Sequence, residues 1–334
     1  MAPKSGIGRT AVANVPTGVD IFRILISTRV WCLLLQPAPQ RYTVCAYYEG
    51  VSFPKNFKRC RLWLLFLIVG IGCIGMPSTT SAQTDEIQVY DAEIAEQGVF
   101  NLMIHTNFTP IGRKTPAFPN AIIANNSLNG AAEWAYGVKP WFEQGLYLPV
   151  FSIHSTNQGA TINGFKIREL FVRPHAHEHK FFYGLNFEFS VNALYWESKR
   201  ITSEFRPIVG AHLGRWDLIY NPILDTDYAG GVKGLQFNPA ARIAYNLSNK
   251  WIAAVEEYDA FGSLSRFNAS NQQFHETWAV MDRNTSLVKI ETGVGLGWSG
   301  GADRLTLKLM VSRDLNPHAP SKWQRANKMM PRNF

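Results

Sequence analysis

The chain has 334 residues, 46% of them apolar, and a formal charge of +8, enough for one large domain or two ordinary ones. A mean hydropathy of -0.10 excludes a membrane protein built from many apolar helices. The positive charge is local: residues 1–82 hold nine Lys and Arg against two Asp and Glu, and residues 83–334 hold 24 against 23. That removes the compositional case for a nucleic-acid partner. All four cysteines, Cys32, Cys45, Cys60 and Cys73, also precede residue 83, so disulfides, thiolate metal sites and Cys nucleophiles are excluded from the rest.

In chain order, residues 1–57 read as a start-site artefact or a disordered extension, because the next feature normally begins a chain. Lys58, Arg59 and Arg61 precede the apolar run Leu62–Met76, and the small polar "PSTTSA" follows it. This is the three-part pattern of a secretory signal, too short for a comfortable spanning helix. It predicts a signal peptide over 58–82, cut between Ala82 and Gln83. Residues 83–97 are expected as an N-terminal periplasmic segment, with an edge strand or a plug as alternatives for "EIQVYDAEIA".

From residue 98 an alternation of period two recurs, which is the mark of strands. The clean stretches are 100–108, 181–195, 205–213, 216–224, 235–247, 288–298 and 305–311. Less regular ones are 132–138, 143–153, 165–173, 251–261 and 272–282, giving about 12 strands. In 251–261 Glu256 and Glu257 fall on opposite faces, so a bulge or a short strand is expected there. In 181–195 the odd positions, among them Phe181, Leu185, Phe187 and Phe189, are apolar, while Asn186, Glu188, Ser190 and Asn192 stand between them. Tight turns at 139–141, 177–180, 214–216, 249–251 and 283–286 alternate with mostly looser connections. Trp141, Phe181, Trp216 and Trp251 each follow a tight turn, as an aromatic girdle at one height would.

A soluble sandwich would turn the apolar faces inward. Strands of about 9–11 residues suffice to cross a bilayer when tilted, and the aromatic load of these faces exceeds what a small interior holds. The faces are therefore expected to be inverted, lipid outside and polar groups within. Glu188, Glu204, Arg206, His212, Asp217, Arg242, Lys289, Glu291 and Lys308 become lumen-lining residues. Their mixed sign predicts paired charges bracing a narrow interior, with no strongly ion-selective ring.

With its export signal, alternating strands and tight turns, the chain resembles Gram-negative outer-membrane β-barrels over about 98–315. "GVFNLMIHTNFTP", "WAYGVKPWFEQGLYLPV" and "FNPAARIAYNLSNKW" are loosely similar to the barrel family named for phenol-degradation (meta-pathway) operons. The resemblance implies an all-β, up-and-down antiparallel transmembrane barrel in the bacterial outer membrane, inserted by the barrel-assembly machinery and surrounded by outer-membrane lipid. It also implies a narrow channel or transport-type function for a small solute. An outer-membrane lipid-modifying enzyme and a structural or adhesive barrel are the alternatives. One departure is that the last patterned strand ends at Asp314–Leu315, without a closing aromatic. Residues 316–334 are expected as a disordered periplasmic tail.

No cofactor is indicated and no metal site is assigned. "HAHEH" (175–179) reads as exposed turn histidines. "IHSTNQ" sets His154 and Ser155 on opposite faces, and His105 and His212 could face the lumen near Asp217. None of these amounts to a catalytic set.

Overall fold

Along Phe181–Asn192 the even residues Phe182, Asn186, Glu188, Ser190 and Asn192 are buried, and the odd ones face out. A computed structural model describes residues 20–27, 30–36, 42–47, 85–154 and 159–318. The chain divides into two units, Met1–Met76 and Pro77–Phe334. In the first, Asp20–Ser27, Val30–Gln36 and Tyr42–Tyr47 pair as an antiparallel sheet. The expected signal segment 58–82 and its cleavage site, Ala82 and Gln83, lie outside the described residues.

The second unit is a closed antiparallel barrel of 12 strands. They are β1 (Phe100–Ile111), β2 (Ser127–Lys139), β3 (Phe142–His154), β4 (Ala160–Val172), β5 (Phe181–Asn192) and β6 (Ile201–Leu213). There follow β7 (Trp216–Asn221 with Leu224–Thr226), β8 (Gln236–Phe237 with Ala240–Asn246) and β9 (Trp251–Ala260 with Gly262–Ser263). The last are β10 (Phe274–Asn284), β11 (Lys289–Gly297) and β12 (Leu305–Asp314). Pro222 and Pro239, which lack a backbone donor, fall in the interruptions of β7 and β8. Neighbours in sequence pair with one another, and β12 closes on β1 from Leu305↔Ile111 to Asp314↔Asn101. Strands of up to 13 residues span about 30 Å once tilted by roughly 45°. No helix among the described residues is long and apolar enough to cross a membrane.

The less regular stretches prove to be full strands. β2 begins at Ser127 and β4 at Ala160, both earlier than the alternation indicated. The register shifts by one residue on β3 between Tyr147 and Val150, and again on β4 beside Gly164. Each shift switches which parity faces inward, and that hides the pattern from a fixed two-residue period. Such a shift also frees a carbonyl on a face without water, where an unpaired polar group costs several kcal/mol. Trp134 Nε1 donates to the Leu148 carbonyl at 3.0 Å, and the Tyr195 hydroxyl donates to that of Ile162 at 2.6 Å. The connection expected as a tight turn at 177–180 is longer, running from 173 to 180 with a 3₁₀ turn at Ala176–Glu178.

Inside, two aromatics lie flat across facing glycines. Phe182 pairs with Gly210 and Trp278 with Gly295. A Cβ at either glycine would come within 2.2 Å of the ring or closer. Outside, Trp141, Phe181, Trp216 and Trp251 are 41–60% exposed at the tight-turn end of their strands, the position a girdle requires. Basic groups cap this edge: Lys180 over Phe181, Arg215 over Tyr245 and Arg283 over Trp251 at 5.0–5.6 Å, distances at which a cation is attracted to the ring.

Because Phe187 packs on Phe205 on the outer face, with ring centroids 5.0 Å apart, Phe187→Arg should cost about 2–4 kcal/mol and Phe187→Leu less than about 1. Denaturant unfolding in lipid vesicles measures both. An Arg tolerated as well as Leu would contradict the assignment of faces.

Candidate functional site: a plugged lumen and its outer vestibule

Residues 83–97 are expected as a periplasmic segment, with an edge strand or a plug as alternatives. The structure places 85–95 within the barrel. From the seam beside Gly137, bridged by Gln97, the segment passes up the lumen without joining the sheet. It packs against two walls. Ile87 packs with Ala244, Ala254, Trp278 and Val280, whereas Val89, Tyr90 and Ala92 pack with Leu170, Phe182, Ile208 and Ile219. Its backbone is bonded by the wall: Asn221 accepts from Tyr90 N at 2.7 Å and donates to Tyr90 O at 3.0 Å. Arg206 donates to Gln88 O at 3.1 Å and Lys308 to Ile87 O at 3.2 Å. Burial, and next the Glu86 charge, push the Tyr90 phenol well above its usual range. It therefore stays protonated, 2.7 Å from the Tyr147 hydroxyl and donating to Glu188 at 3.3 Å.

Around the plug, the expected lumen residues sit in two ion-pair networks. In one, Arg168 joins Glu133 at 2.9 Å and Glu143, and His105 Nε2 meets Glu133 at 3.0 Å. Lys166 bridges Asp85 of the plug at 2.9 Å and Glu188 at 3.6 Å. Arg206 holds Glu204 at 2.6 Å, lies 3.7 Å from Glu86, and places its guanidinium 4.3 Å over the Tyr90 ring. In the other, Arg242 contacts Glu256, Asp282 at 2.5 Å and Glu291 at 3.3 Å. Lys308 contacts Glu256 at 2.5 Å and Glu291 at 2.6 Å. Lys289 stands at the tight-turn mouth and binds Glu93 of the plug. His212 lies nearby on Asp217 at 2.5 Å, under Phe182, with Asn246 donating to Asp217 at 2.7 Å.

Pairing of mixed charges is thus present, but the balance inferred from sequence is not. The structure adds Asp85, Glu86, Glu133, Glu143, Glu256 and Asp282 to the interior against Lys166 and Arg168. Glu188, Glu204 and Asp225 even stand directly opposite one another on β5, β6 and β7. Like charges so placed repel, and Lys166, Arg206 and an Asn238 amide 2.5 Å from Asp225 offset them. Glu143 lies on β3, whose inward parity inverts past Tyr147, whereas β2 keeps one parity from Ser127 to Gly137 with Glu133 as its inward acid. Parity counted from each turn inward, on either side of the shift, would have found them.

Above the plug, at the end with the longer loops, lies a cavity of about 450 Å³. Asp85, Glu188, Glu204, Asp225 and Asp227 line it against Arg113 and Lys166, with Ser190, Asn192 and Gln236 between. Of the hydrolase candidates, His154 faces inward on β3, while Ser155 and Asn157 lie outside the described residues. His105 is spent on Glu133 and His212 on Asp217, with no recorded hydroxyl on either ring among the described residues.

No protein-family model and no curated protein matches this sequence. Among solved structures, the COG4313 outer membrane channel of Pseudomonas putida F1 is 12% identical, with a TM-score of 0.47 over 69% of this chain and 100% of that one. Outer membrane phospholipase A of Escherichia coli is 10% identical, with a TM-score of 0.33 over 71% and 95%. The outer membrane protein OprD of Pseudomonas aeruginosa is 8% identical, with a TM-score of 0.30 over 68% and 97%. Each score is under 0.5, and strand count, register and faces come from this chain's own geometry. What that geometry shows is a closed antiparallel barrel of 12 strands with its apolar face outward and its polar face inward.

Lys308 and Glu256 are wholly buried, and removing one partner leaves an uncompensated charge. Lys308→Met should therefore cost about 3–5 kcal/mol, and adding Glu256→Gln should restore part of it. Unfolding midpoints of the single and double variants test this. A loss under about 1 kcal/mol for Lys308→Met would contradict the network.

Proposed function

We propose that the barrel is a narrow, transport-type channel for small polar solutes, entered through the acidic vestibule and occluded below by the plug of residues 85–95. The observation that carries this reading is the vestibule itself, polar-lined, open to the loop end and floored by Asp85. Twelve strands lie between eight-stranded barrels filled by their own side chains and the aqueous porins of 16–18. A lumen of that width would conduct freely if empty, so the plug sets the limit. Carboxylates in excess around the vestibule favour cations and amines, or neutral polyhydroxy solutes, over anions. The similarity to the phenol-degradation barrels belongs with this reading. A lipid-modifying enzyme finds less support, since among the described residues no hydroxyl is hydrogen-bonded to His105 or His212, and an adhesive role has no geometric feature of the described residues in its favour.

Planar-bilayer recordings test the proposal. The wild-type protein should give small conductances with a reversal potential favouring cations, and deletion of 85–95 should raise the conductance several-fold. Anion preference, or an unchanged conductance in the deletion variant folded in the bilayer, would contradict it.

A further inference from the structure

The register of β9 against β8 slips by one residue only past Tyr258, between the pairs Ala240↔Tyr258 and Phe237↔Gly262, so Glu256 and Glu257 lie in an unbroken run. β9 and β10 pair residue for residue from Trp251↔Arg283 to Ala260↔Phe274. Regular alternation then sends Glu256 inward to Arg242 and Lys308 and sends Glu257 out, to the lipid-facing side. Asp259 follows on the same face, opposite His275, and Thr277 stands opposite Glu257. Val255, Leu296 and Trp298 on this face are 54%, 57% and 61% exposed, and none of these residues borders the vestibule. Asp259 is next to last in its run of β9 and His275 is second in β10, which sets the group at the loop end, at headgroup height.

The side chains converge. One donor atom from each of Glu257, Asp259 and His275 lies within 4.8 Å of the others. Thr277 donates to Glu257 at 2.5 Å, and the His275 ring is clamped between the Trp298 ring, stacked 4.6 Å away, and the Phe261 ring, 5.4 Å away. His275 Nε2 faces Gln273 Oε1 at 3.0 Å, which makes Nε2 the N–H donor and turns Nδ1 toward Asp259 at 2.5 Å. In the neutral ring that leaves two acceptors face to face, which a shared cation would satisfy once the two groups part by about 0.8 Å to tetrahedral ligand spacing. Glu257 Oε1 is closed to solvent and accepts no hydrogen bond among the described residues. The one ion-pair partner recorded for these two carboxylates among the described residues is His275.

Two carboxylates on a lipid-facing surface repel one another and are poorly solvated, and a single imidazolium offsets one of them. A divalent cation would offset both. Two carboxylates and one imidazole suit a first-row ion such as Zn²⁺, which takes three protein ligands and leaves a fourth position open, better than Ca²⁺ or Mg²⁺, which prefer oxygen alone. We propose that Glu257, Asp259 and His275 form a Zn²⁺-class metal site on the outer face of the wall, with the open position toward the membrane surface. Thr277 and Gln273 are positioning residues, orienting a carboxylate and fixing the tautomer as second partners of metal ligands do.

The test is calorimetric titration with zinc chloride of the full chain folded in detergent micelles. Cys32, Cys45, Cys60 and Cys73 are replaced by serine and His175, His177 and His179 by glutamine, to remove competing ligands. One Zn²⁺ per chain should bind, and Glu257→Gln, Asp259→Asn and His275→Gln should each weaken binding at least tenfold while keeping the heat-dependent gel shift of a folded barrel. An equal concentration of Ca²⁺ should not compete. Absence of stoichiometric binding, binding unchanged in the folded variants, or effective competition by Ca²⁺ would overturn the assignment; if one variant does not fold, the other two decide.

Discussion

Within a bilayer no water pairs with a backbone N–H or C=O, and this single constraint shapes the molecule. A sheet can meet it only by closing, and β12 closes on β1 across nearly its whole length. The residues just past the wall strengthen the seam: Phe100 N donates to Asn316 Oδ1 at 2.6 Å, and Asn316 Nδ2 donates to Gly98 O at 3.0 Å. The first residues of the expected tail are thus part of the closure, and 319–334 lie outside the described residues. Where closure requires an extra residue, as on β3 and β4, Trp134 and Tyr195 supply the missing bonds. The barrel's irregularities therefore fall where an aromatic carrying a polar hydrogen can reach them.

Closure with the apolar face outward forces the polar face inward, and twelve strands leave that interior too wide to fill with side chains alone. A second segment completes it. Residues 85–92 bring apolar side chains to two sides and a backbone that Asn221, Arg206 and Lys308 bind directly. Those two cations also hold carboxylates, so the plug and the charge networks stand or fall together. Removing the plug would expose Ile87 and Val89 contacts and leave Lys166 and Arg206 short of partners. The same arrangement explains why an acidic cavity forms above: the cations are drawn to the plug's level, and carboxylates nearer the loops remain in excess.

Much of this was legible from side-chain order. Period two is local, so the faces of β5, β6, β7, β8, β11 and β12 and the exposure of the four aromatics beside the tight turns could be read without knowing the fold. The strands with a register shift could not, because one added residue inverts the parity partway along β3 and β4, so the inward-facing Glu143 and Arg168 fit no single alternation with the far ends of their strands. The plug was ambiguous for a different reason. "EIQVYDAEIA" alternates like a strand, and only the width of the finished barrel determines that it is surrounded and not paired. Glu257 was visible as an anomaly, yet its meaning rests on His275, which cross-strand pairing alone brings beside it.

The central claim is that the lumen is occupied by the segment preceding the first strand. With Cys32, Cys45, Cys60 and Cys73 replaced by serine, a single cysteine at Val89, which is 5% exposed, reports directly on it. A membrane-impermeant maleimide should leave Val89→Cys unmodified in the folded barrel and label it fully after heat unfolding, while Ser286→Cys in a tight turn is labelled in both states. Labelling of position 89 in the folded protein as fast as position 286 would contradict a plugged lumen.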